Sequence, residues 1–227
     1  MQIVLISALI LLILSLPFAY WEQARAVTGA VTITTTVATS LTFTTSTGTA
    51  DEFGTVTPGT PRFATTTLAV ATNDNLGWLT SLSGDNKNLT NNNLQTGTPP
   101  ATSTQITDQT EWIPGTATTS AGNAVRITSL VNSNNVLAFR VMTASSTNGA
   151  PFYSTTWWGT ADNYADNANT LWSGVPSSTV QRTIGNAGAG SYSASTHINT
   201  VLYYLNTAPT QLTGSYSAPL TFTAVGN

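Results

Sequence analysis

The sequence predicts an all-β protein: an antiparallel β-sandwich, immunoglobulin-like or jelly-roll-like, with two long loop insertions. Three observations point there. Threonine fills 45 of 227 positions, and β-branched residues favour strands. Apolar side chains recur at every second position in several segments, and clusters of Gly, Pro, Asn and Asp punctuate them at the spacing of short strands. There is no cysteine and hence no disulfide framework, yet 41% apolar content over this length can build a core.

The same arithmetic removes several functions. Only 7% of residues are charged, six Lys+Arg against nine Asp+Glu, for a formal charge of −3. No basic surface exists for a phosphate backbone, so nucleic acid is not an expected partner. Without Cys there is no thiolate zinc site or iron–sulfur cluster, and one His leaves little for imidazole ligation. No cofactor or metal is expected.

The N-terminus reads as a targeting segment. Ile3 to Phe18 is an apolar run broken by Ser7, Ser15 and Pro17, short for a membrane span and suited to a secretory signal. Ala24-Arg25-Ala26 is a small-x-small cleavage site, so residues 1–26 are expected to leave and Val27 to begin the mature chain. An uncleaved anchor is the alternative, because Met1-Gln2 carries no basic side chain. Either way the rest of the chain is exported, and 27–227 is expected to form one sandwich domain without a membrane span.

Val31 to Phe43 gives the strongest period. Val31, Ile33, Val37, Leu41 and Phe43 alternate with Thr, Ser and Ala38. At about 3.3 Å per residue this run is roughly twice a usual strand. It is either two strands joined by a bend at Ala38-Thr39-Ser40, or one strand reaching beyond its own domain. Phe53 to Pro61 reads as a strand running into a Pro-Gly turn. Phe63 to Thr72 and Trp78 to Leu82 read as strands flanking the αL-tolerant loop Asn73-Asp74-Asn75-Leu76-Gly77. Val125 to Val131 and Val136 to Met142 follow, and Asn148-Gly149 marks a tight turn before Phe152-Tyr153. Ile198 to Leu205 is apolar on both faces, as in a central strand. Tyr216 to Ala224 alternates, with Pro219 favouring a sheet edge. Gly84 to Gly122 and Trp157 to Gly190 lack periodicity and are expected to be the two insertions.

Several of these segments carry a resemblance. Phe53-Gly-x-Val-x-Pro-Gly-Thr-Pro61, then Leu68-x-Val70-x-Thr72-Asn73 and Gly77-Trp78, resembles a strand–turn pattern of secreted Thr-rich β-sandwich surface proteins from ultra-small bacteria. Val201 to Leu205, with Pro209 to Gly214 and Tyr216 to Ala224, is similar to their C-terminal hairpin. More distantly, it is similar to WxL-type wall-binding and spore-coat-U or pilin-like domains. The resemblance implies an exported sandwich. It departs from WxL domains in having Trp78-Leu79-Thr80 and Tyr203-Tyr204-Leu205 where Trp-x-Leu is required, and from pilins in lacking a cysteine pair.

Chemistry is sparse. His197 has Ser191, Ser193 and Ser195 nearby in sequence but no nucleophile elbow, and a strand-end histidine is the simpler reading. Asp51-Glu52 reads as a solvated turn, and Asp162 to Asn167 matches no calcium loop. No enzyme is expected. The aromatic cluster Phe152, Tyr153, Trp157, Trp158, Tyr164 and Trp172 sits in polar sequence. On a strand Trp157 and Trp158 would point to opposite faces, leaving one exposed. Tyr153, Trp157, Trp158, Tyr164 and Trp172 are therefore candidate ligand contacts for sugar rings; the competing reading has the rings pinning a loop to the sandwich. Val31, Ile33 and Val37 are the candidate assembly strand. The expected function is a secreted or cell-surface structural protein that pairs strands with copies of itself. The alternative is a carbohydrate- or envelope-binding module, with cell-envelope glycans as partners. Asn88-Leu89-Thr90 is one glycosylation sequon.

Overall fold

Alternation in the sequence becomes ten strands among the described residues. They are β1 (Leu41–Ser46), β2 (Arg62–Thr72), β3 (Trp78–Gly84), β4 (Leu94–Thr96), β5 (Gln105–Asp108), β6 (Val136–Met142), β7 (Arg182–Ala187), β8 (Ser193–Asn206), β9 (Tyr216–Ser217) and β10 (Leu220–Gly226). One helical turn, α1 (Thr155–Trp158), interrupts them. The computed structural model describes residues 36–46, 53–84, 94–96, 105–116, 120–131, 134–142, 154–160, 169–176, 180–188, 193–217 and 220–227. The chain divides into two units, 1–38 and 39–227, and the fold described here is that of the second.

The fold is all-β, as predicted, with two sheets. The larger runs β1-β2-β8-β6-β5-β4-β9 and the smaller β10-β3-β7. Between these strands pairing is antiparallel except for a short parallel contact of β5 with β6 at Thr107–Val136 and Asp108–Leu137. β8 is the spine of the larger sheet, held on one side by β2 and on the other by β6. Its central place explains why Val201 to Leu205 is buried on both faces.

β2 shows how the period of two builds the interface. Ala64, Thr66, Leu68, Val70 and Thr72 are buried, whereas the residues between them are half-buried. Leu68, Phe139 and Val201 of the larger sheet pack in one core with Leu82 and Ile184 of the smaller, which makes the arrangement sandwich-like. A second core lies on the opposite face of the larger sheet. There Leu130 and Trp172 cover Val136, Ala138, Leu202 and Tyr204.

Turn chemistry follows the sequence closely. At the β2–β3 turn Leu76 N–H donates to Asp74 Oδ1 (2.9 Å) and Gly77 takes φ +90°. A side chain at Gly77 would meet the Ala187 carbonyl of β7, so both conformation and close approach demand glycine there. Ser40 N–H donates to Asn73 Oδ1 (2.7 Å), and Thr72 donates to Ser40 O (2.8 Å). These bonds start β1 at Leu41; residues 36–40 belong to no strand, and Val37 is 78% exposed. Val31 and Ile33 lie outside the described residues.

Four expectations are corrected. Val125 to Val131 is not a strand: only Val125 pairs, with Trp172, and Ile127–Ser129 forms a 3-10 turn. Phe53 to Thr57 joins no ladder, although the Pro58-Gly59 turn is present, with Gly59 at φ +77°. The two aperiodic stretches are not wholly loops, because they supply β4, β5 and β7. The segment Tyr216 to Ala224 is not one strand: β9 closes the larger sheet beside β4, while β10 is the edge of the smaller sheet beside β3.

Candidate functional site

Two regions compete as functional sites: the tryptophan cluster and a groove between the sheets. The cluster starts from a helical cap. Ser154 Oγ accepts the Trp157 N–H (3.3 Å), and Gly159 closes the turn at φ +85° with its N–H on Thr155 O (2.9 Å). Successive residues of a helix are about 100° apart rather than opposed, so both indoles turn inward. The stretch expected to be a loop from Trp157 thus begins in a helical turn, and the expectation that at most one of the two rings enters the core is corrected.

Trp158 is fully buried, its ring centroid 4.6 Å from Trp112 and 5.2 Å from Phe139. Trp157 is 4% exposed and meets Trp112 edge-on at 5.6 Å. Each ring N–H finds a backbone carbonyl: Trp112 donates to Thr183 O (2.9 Å), Trp157 to Gly115 O (3.1 Å) and Trp158 to Ile184 O (3.4 Å). The indoles thus tie β7 and the 110–116 segment to the core, each satisfying its own polar edge.

Trp172 is also fully buried, on the other face of the larger sheet against Phe63 and Tyr204. Arg140 is buried with it. Its guanidinium lies 5.8 Å from the Trp172 ring centroid and donates to Trp158 O (3.1 Å). A charge in the middle of Val136-Leu-Ala-Phe-Arg-Val-Met142 was the visible sign of this link. Trp157, Trp158 and Trp172 therefore offer no open face for a sugar ring, and the platform reading is corrected for these three. Tyr153 and Tyr164 lie outside the described residues, as do Asp51-Glu52, the Asp162 to Asn167 loop and the sequon.

His197 is buried on β8 beside Trp78, ring centroids 6.0 Å apart. Burial lowers its pKa below the ordinary 6.5, which disfavours the imidazolium form. Glu111 faces Arg182 at 3.6 Å. Among the described residues no three His, Cys, Asp or Glu side chains gather to hold a metal ion. No helix among them is long and apolar enough to cross a membrane.

The second region is a groove of about 1240 Å³ between the sheets. Its floor is the inward face of the larger sheet, with Thr66, Leu137, Tyr203 and Leu205, where Thr66 Oγ1 and Tyr203 OH are 3.0 Å apart. Phe43 and Thr45 of β1 form one wall, and β10 forms another through the successive residues Leu220, Thr221 and Phe222. Segments 53–58 and 211–217 complete the rim. The first is tied down by Gly59 N–H on Thr207 O (2.8 Å), the second by Gln211 Nε2 on Tyr216 OH (2.7 Å). Every described lining residue is uncharged. Phe43, Phe53, Leu220 and Phe222 are only half-buried. Sequence reasoning missed the groove, because period two marks which face turns inward but not whether another segment covers it.

Compared with protein families, curated proteins and solved structures, the chain finds no match.

Proposed function

We propose that this chain is an exported structural protein of the cell surface, without enzymatic activity, that assembles by pairing strands with copies of itself. The observation that carries this reading is that both sheets end in an open strand edge among the described residues, β1 in the larger and β10 in the smaller. Among the described residues β1 pairs only with β2, so its far edge presents backbone N–H and C=O groups. The sequence leading into it, Val31 to Val37, keeps an apolar–threonine alternation suited to a strand. Export is supported by the apolar run Ile3 to Phe18 and the Ala24-x-Ala26 site. The glycan-binding alternative loses the support of Trp157, Trp158 and Trp172, whose burial leaves it on Tyr153 and Tyr164. Light scattering after size exclusion tests the proposal. Mass should rise with protein concentration, and a strict monomer throughout would contradict it. Intact mass should place the mature N-terminus at Val27; retention of residues 1–26 would indicate an anchor.

A further inference from the structure

We infer that the groove beside β10 is the acceptor site of this assembly, and that it takes residues 27–37 of a second copy as an added strand. This rests on the self-assembly reading and gives it a location. Among the described residues the smaller sheet has three strands, and β10 is its edge. Beyond that edge lies the groove, walled by the three successive residues 220–222 and floored by apolar side chains of the larger sheet. A strand laid there would take backbone hydrogen bonds from β10 and drop alternate side chains onto the floor, the geometry of strand addition to an exposed edge.

Chemistry selects the occupant. The groove is an open trough alongside a strand edge, a shape suited to an extended chain. Its uncharged lining would leave an ionic partner unpaired on burial. Residues 27–37, Val-Thr-Gly-Ala-Val-Thr-Ile-Thr-Thr-Thr-Val, carry no charge and no proline. In an extended strand Val31, Ile33 and Val37 would share one face, with threonine at positions on both. This segment runs up to the first described residues, where Val37 is exposed, and it is long enough to match the seven residues of β10. Because donor and acceptor are different surfaces, the contact is head-to-tail and propagates as a filament unless it closes into a ring.

The absence of cysteine permits a clean test on the full-length chain. An Ile33→Cys chain is mixed with a size-tagged Thr45→Cys chain under mild oxidation. Thr45 is exposed on the groove wall, and a disulfide forms only when the Cβ atoms approach to about 4 Å. The expected result is a covalent dimer of the two different chains. Ser215→Cys, exposed on the 211–217 rim, repeats the trial and covers a failure of the Thr45 variant to fold. If neither pair cross-links while light scattering still shows multimers, the groove assignment is overturned and self-assembly stands. If the chains remain monomeric and unlinked, both fall.

Discussion

In the tryptophan region, Trp112, Trp157 and Trp158 are sealed under neighbouring segments; around the groove, Phe43, Phe53, Leu220 and Phe222 are only partly buried. Both regions use large aromatic or aliphatic side chains on the same inward side of the larger sheet. The difference lies in what covers them. In the first, β7 and the 110–116 segment arrive with carbonyls placed for each indole N–H. In the second, the smaller sheet ends at β10 and no further strand follows among the described residues. The inward face is closed where a later segment supplies both apolar cover and hydrogen-bond partners.

Substitutions should separate the two regions. Trp158→Ala should cost about 3–5 kcal/mol in denaturant unfolding, because it empties a fully buried indole site between Trp112 and Phe139. A loss below about 1 kcal/mol would mean that this region is not the closed core described. Gly159→Ala is expected next. Its backbone, φ +85° and ψ −176°, is a conformation essentially reserved for glycine, and a Cβ would meet the Asn169 carbonyl. The backbone strain alone is worth about 1–3 kcal/mol, read as a lowered midpoint with unchanged slope.

Phe222→Ala, by contrast, should cost only about 1 kcal/mol in the monomer, as expected for half-burial, and should weaken association more than folding. Comparing unfolding with sedimentation on one preparation separates the two effects. The smallest effect concerns His197. Its folded pKa lies below the unfolded value of about 6.5, so the unfolded chain binds the proton more readily. The stability is fully present above pH 6.5 and declines as pH falls from there toward the folded pKa. It is the only histidine, so His197→Asn should flatten the melting temperature between pH 7 and 5. An unchanged slope would place the titration elsewhere.

Much of this fold was legible in the sequence. β2, β6 and β8 were legible because alternation or two-faced apolarity reflects their burial. The Pro58-Gly59 turn and the Asp74–Gly77 loop were legible because glycine at positive φ has few substitutes. β7 was not: Arg-Thr-Ile-Gly-Asn-Ala has no clean period, and its pairing with β3 shifts register between Thr80 and Ser81. α1 was hidden by the Trp-Trp pair, although Ser154 and Gly159 stand in the positions of a helix cap and stop. The candidate contacts Trp157, Trp158 and Trp172 were chosen for polar neighbours in sequence, but burial is decided by segments far along the chain. The groove had no local signal, because whether a segment elsewhere in the chain covers an inward face is not written in that face's own period.

Amide hydrogen exchange can locate the acceptor edge, comparing the full-length protein in dilute solution and at assembling concentration. Of Leu220, Thr221 and Phe222 in β10, the amides that point away from β3 should gain protection on assembly, while those of Trp158 and Trp172, already hydrogen-bonded in the closed core, should not change. Assembly that leaves the β10 amides as exposed as in the monomer would contradict the account.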